Sequence, residues 1–161
     1  MKRLFLILLL ILPLVSYAQK IVCKRTVDVN NYEQITHYNN AMFEFVNNAG
    51  KTYLKILYSN NDLNKSSYNA DGWVIVKEEG GRILCREGDH PFYDFTNGGD
   101  IMSLHLNSDS CDIWTFSKID YQMAMLNKEF HSKSFVTIRF DSNQYMEIKR
   151  ILDKAVKVIS Y

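Results

Sequence analysis

Proline is almost missing from this chain of 161 residues: Pro13 and Pro91 are the two it has. Cysteine is scarce and odd in number, with Cys23, Cys85 and Cys111, and no Cys-x-x-Cys or His-x₃₋₅-His spacing occurs. That removes the usual structural zinc frameworks. The chain has no Gly-x-Ser-x-Gly elbow, no phosphate-binding loop and no dinucleotide-type glycine fingerprint. Such motifs are local in sequence, so their absence counts against the enzymes that depend on them. Clusters of lysine and arginine are also missing. Nucleic acid attracts proteins chiefly through such clusters, so it is not an expected partner. No cofactor and no metal is expected either.

One long apolar run exists, at residues 4–15, preceded by Lys2 and Arg3 and followed by Ser16, Tyr17 and Ala18. Twelve residues fall short of the roughly 20 that a membrane-spanning helix needs. A short positive stretch, an apolar run and small residues at a cleavage site describe a secretory leader, here residues 1–18, with Gln19 as the new N-terminus. The expected destination is periplasmic, outer-envelope or secreted, with no transmembrane span after the leader is removed. Lys2 and Arg3 go with it, which leaves seventeen of the nineteen basic side chains against eighteen acidic ones. Residues 19–161 suffice for one domain with a core of its own.

What the chain has in plenty is aromatic and β-branched residues in short alternating runs. Residues 21–29 form a first candidate strand, and residues 32–40 show no clear period. Residues 42–46 and 52–58 flank Asn47, Asn48, Ala49 and Gly50, a hairpin signal because Asn and Gly tolerate positive φ. Residues 73–77 and 82–86 flank Gly80 and Gly81 in the same way, with Ile83 and Cys85 on one face. In residues 101–106, Met102, Leu104 and Leu106 oppose Ser103 and His105. The run at 111–117 is less regular, because Ile113 opposes Trp114 and Phe116. Residues 118–134 suit a short helix or an irregular crossover.

Residues 135–140 alternate as a strand, and Asp141 with Gln144 has the spacing of a capping box. Beyond it, Tyr145, Ile148, Ile151, Leu152, Ala155, Val156 and Ile159 recur at helical spacing over 143–160. The expected fold is mainly β: a strongly bent antiparallel sheet or small barrel of six to nine strands, with one C-terminal amphipathic helix packed on it.

Candidate chemistry is thin. Glu87, Asp89, His90 and Asp94 are the densest set of possible ligands, yet they surround a turn before Pro91. His105, Asp109 and Cys111 contain the residue types of a thiol catalyst, brought near one another by hairpin topology alone. No catalytic residue is assigned. In an oxidising compartment either one disulfide forms, Cys85 to Cys111, since both lie in well-marked strands, or all three cysteines are small buried hydrophobes. Trp73, Trp114, Tyr53 and Tyr93 are the aromatic candidates for a ligand cavity if the sheet curls. The leading expectation is a small exported non-enzymatic domain that binds a protein partner or an apolar or sugar-like ligand. A hydrolase or thiol enzyme with a dispersed site, and a purely structural envelope component, are the alternatives.

Overall fold

The computed structural model describes residues 18–63, 72–87, 100–127 and 134–159. They form one antiparallel sheet of ten strands, one more than the upper bound expected. These are β1 (Ala18–Cys23), β2 (Val27–Asn31), β3 (Gln34–Tyr38), β4 (Asn40–Asn48), β5 (Lys51–Ser59), β6 (Trp73–Glu79), β7 (Arg82–Glu87), β8 (Ile101–Leu106), β9 (Ser110–Phe116) and β10 (Ser134–Arg139). Two helices accompany them, α1 (Lys118–Asn127) and α2 (Ser142–Ile159). The strand order is β1-β4-β5-β6-β7-β8-β9-β10-β2-β3.

The ladder does not return on itself, yet the chain joins its two ends. Only residues 24–26 separate β1 from β2, which lie at opposite ends of the order. Only Asn39 separates β3 from β4. Cys23 pairs with Ala41, and Val27 pairs with Tyr38. The first 31 residues of sheet are therefore one long bent hairpin, residues 18–48, with one extra residue in its first arm at the bend. Such an insertion bends a strand and increases its twist. One half of the hairpin adds to β5 through β4, and the other half adds to β10 through β2. A three-residue link spans little more than 10 Å, so the sheet must curl until its ends nearly meet. Tyr38 and Tyr58 mark that approach, their ring centroids 4.8 Å apart.

This corrects two expectations. The single strand at 21–29 is two strands pairing with different neighbours, and the unassigned stretch 32–40 holds β3. All three two-residue hairpin turns carry positive φ at both positions, Tyr32 and Glu33, Ala49 and Gly50, Gly80 and Gly81. That geometry matches the right-handed twist of the flanking strands.

The concave face carries the core: Ile21 and Cys23, Phe43 and Phe45, Leu54 and Ile56, Trp73 and Ile75, Ile83 and Cys85, Met102 and Leu104, Cys111 and Ile113, and Ile138. Helix α2 lays Ile148, Leu152 and Ala155 onto it, packing on β6, β1 and β5. Its start is fixed as the sequence implied. The Gln144 N–H donates to Asp141 Oδ1 at 2.9 Å, and the Asp141 N–H donates to Gln144 Oε1 at 3.0 Å. Gln144 Nε2 also donates to the Val22 carbonyl at 2.6 Å, satisfying an acceptor on the open edge of β1.

The convex face has a smaller core under α1. Leu84, Ile101, Trp114 and Phe116 pack there with Tyr121 and Ala124. Ser117 begins the helix by accepting the Asp120 N–H at 3.2 Å. The irregular pattern of β9 is thereby explained: Cys111 and Ile113 face one core, while Trp114 and Phe116 face the other.

Candidate functional site

The turns at 49–50, 80–81 and 107–109 lie at one end of the curled sheet, and α2 leaves β10 at that same end. The helix fills the interior there. Towards the other end the interior opens into a cavity of about 280 Å³. Its floor is Ile56, Met102 and Ile113, all nearly inaccessible to solvent. Val29 and Val136 form walls from β2 and β10, with Phe135 beside them. Asn30, Asn31, Tyr58 and Thr115 supply the polar groups of the rim. Strand parity explains the set, since Val29, Ile56, Met102, Ile113, Thr115 and Val136 all occupy inward positions of their strands. Among the described lining residues there is no carboxylate, ammonium, guanidinium or imidazole.

The aromatic residues singled out from sequence do not gather here. Trp73 is buried in the main core, paired in register with Leu54. Trp114 lies on the opposite face, its ring 4.7 Å beneath the Arg82 guanidinium. Tyr53 pairs with Val74, one residue out of phase with the inward Leu54, and so faces outward. Tyr93 lies outside the described residues, as do Asp89, His90 and Asp94. The lining residues Asn31, Thr115 and Val136 carried no signal of their own in sequence.

The Cys85–Cys111 bridge is not formed: all three cysteines are free and buried. Cys85 lies opposite Met102, and Met102 opposite Thr115, which is four residues from Cys111. That offset alone is roughly 13 Å along a strand, against a Cα separation limit of about 7 Å for a disulfide. Burial pushes the Cys23 thiol up to about 12, and Asp141 adds to the effect. Burial raises the Cys85 and Cys111 thiols as well. Thiols held protonated in this way are poor nucleophiles. His105 pairs with Asp112 on the convex side, whereas Cys111 points into the core. A Cys111–His105 couple is therefore not assembled.

The convex face instead carries a row of polar side chains in register across five strands: His37, Asp28, Thr137, Asp112 and His105. Asp28 receives His37 Nδ1 at 2.7 Å and Arg139 Nη1 at 2.6 Å. Asp112 accepts from Thr137 Oγ1 at 2.7 Å and from Asn107 Nδ2 at 3.3 Å. Partial burial works against ionisation of Asp28, but the hydrogen bonds and charges of Arg139 and His37 outweigh it and hold the carboxyl below its ordinary range. The carboxylates are occupied by their own neighbours, which is the signature of a cross-strand stabilising ladder. Among the described residues no group of three or more His, Cys, Asp or Glu is placed to hold a metal ion. Nor is any described helix long and apolar enough to cross a membrane.

Compared with family models, curated proteins and solved structures, the chain matches none.

Proposed function

We propose that this protein is a small-ligand-binding domain whose site is the cavity at the end of the sheet left open by α2. The observation that carries the reading is the shape of the interior: buried aliphatic floor, polar rim, and about 280 Å³ between them. Eight-stranded curled sheets have interiors just wide enough for side chains or one small ligand. A cavity of this size is at the small end of known ligand sites. It has room for roughly nine non-hydrogen atoms, taking the share of liquid volume held by one water as the unit. Export by a cleaved leader belongs to the same proposal and places the binding at the envelope or outside. Mass spectrometry of the exported protein is expected to begin at Gln19, and retention of Met1 would refute it.

Displacement of an environment-sensitive apolar fluorophore tests the site. Fluorescence is expected to rise on mixing with the wild type, and Thr115→Phe, which fills the mouth from an exposed position, is expected to abolish the rise. An unchanged signal in that variant would overturn the assignment.

A contact with a second copy of the chain is the other reading. It rests on Ile119, Met123 and Leu126 of α1, which are 72%, 52% and 77% exposed at helical spacing. Sedimentation of the wild type against Leu126→Asp tests it. A monomer in both would end it.

A further inference from the structure

We propose that the cavity selects uncharged ligands, with an aliphatic body and a single terminal oxygen, over ligands bearing a carboxylate or an ammonium group. The inference deepens the pocket reading and rests on it. Its basis is the lining. Ile56, Met102, Ile113, Val29 and Val136 offer only carbon and sulfur, and the polar groups of the described lining stand at the rim, from Asn30, Asn31, Tyr58 and Thr115. Their amide and hydroxyl groups both donate and accept hydrogen bonds. They can therefore satisfy an alcohol, an aldehyde, a ketone or an amide at the ligand's exposed end.

Charge is a different matter. A carboxylate drawn to the rim loses part of its hydration and finds no cation among the described lining residues, and an ammonium finds no anion among them. Burying an unpaired charge costs far more than burying a hydrogen-bonded neutral group. The nearest strong charges of β2 and β10, Asp28 and Arg139, point to the convex face and bind each other. They do not serve the cavity. The polarity of the lining also sets an orientation, with the apolar end of the ligand towards Ile56 and Ile113, each two residues inward along its strand from Tyr58 and Thr115, and its oxygen at the rim.

Eight-carbon compounds differing only in the end group provide the test, since they match the volume. Octan-1-ol, octanoate and octylammonium compete with the bound fluorophore at pH 7. The alcohol is expected to displace it, with both ions at least about tenfold weaker, a difference of about 1.4 kcal/mol. Thr115→Lys, which brings a cation to the rim, is expected to raise octanoate affinity selectively and to lower that of octylammonium. Val29→Lys supplies the same cation from β2, two strands along the sheet from β9, should the first variant fail to fold. Equal binding of the alcohol and both ions would overturn the selection for neutral ligands and leave the pocket assignment standing. Failure of all three to displace the fluorophore would overturn both.

Discussion

At the scale of single residues, burial and pairing decide chemistry more than residue type does. Cys23, Cys85 and Cys111 share one apolar core and are held as neutral thiols. An aromatic disulfide reagent is expected to titrate no thiol in the folded protein and three in denaturant. Rapid reaction of any thiol under native conditions would contradict the core placement. Asp28 makes a second case. Its folded pKa lies below the unfolded value of about 3.9, so its contribution is complete above that value and is lost as pH falls through the folded pKa. Asp28→Asn is expected to cost about 0.5–1 kcal/mol at pH 7, as partly exposed pairs do. The stabilities of variant and wild type should then converge below about pH 4. Parallel stability curves down to acid pH would refute the pairing. The inward parity of Ile83, Cys85, Met102 and Leu104 was legible in sequence, because alternation alone sets it. The partners of Asp28 were not, since Arg139 is distant in the chain and only strand order brings it near.

At the scale of elements, the helices and turns show which local signals survive folding. The capping box of Asp141 and Gln144 and the apolar spacing of α2 predicted a helix within one residue at either end. Ile148→Ala or Leu152→Ala is expected to cost about 2–5 kcal/mol in denaturant unfolding, as a cavity in a packed core does. Met146→Ala, at a position 63% exposed, should cost under about 0.5 kcal/mol. Equal losses at all three would show that α2 does not use the face described. The β2–β3 turn was illegible for a physical reason. Tyr32 and Glu33 occupy left-handed conformations, φ +51° and +75°, without the Asn-Gly that usually signals such a turn. Left-handed backbone costs an ordinary residue roughly 1–2 kcal/mol. Glu33→Gly is therefore expected to raise the denaturation midpoint by the equivalent of about 1 kcal/mol, with unchanged slope. The bend between β1 and β2 was missed because Lys24, Arg25 and Thr26 are no turn formers; the strand bends there and runs on.

At the scale of the whole molecule, one long bent hairpin and one helix together determine where empty space is left. The hairpin belongs to both ends of the strand order and so curls the sheet. The helix then fills the interior at the end where β10 delivers it. Composition and pattern made the β-rich, helix-covered architecture legible. The site was not legible, because which inward positions remain uncovered depends on the docking of α2 against strands far away in sequence. Val29, Ile113 and Val136 are unremarkable alternating residues until β2, β9 and β10 lie side by side. Filling the cavity has an energetic consequence. A ligand that binds only the folded state stabilises it by about 2.7 kcal/mol at a hundredfold excess over Kd. For a chain of this size that is roughly a 5–10 °C rise in melting temperature. Octan-1-ol at that excess is expected to raise the wild-type melting temperature within this range. Thr115→Phe should start near the wild-type value and show no rise, since an aromatic ring at an exposed strand position fills the mouth without entering the core. A comparable rise in both proteins would locate the binding elsewhere, because occupancy of a blocked mouth cannot stabilise the fold.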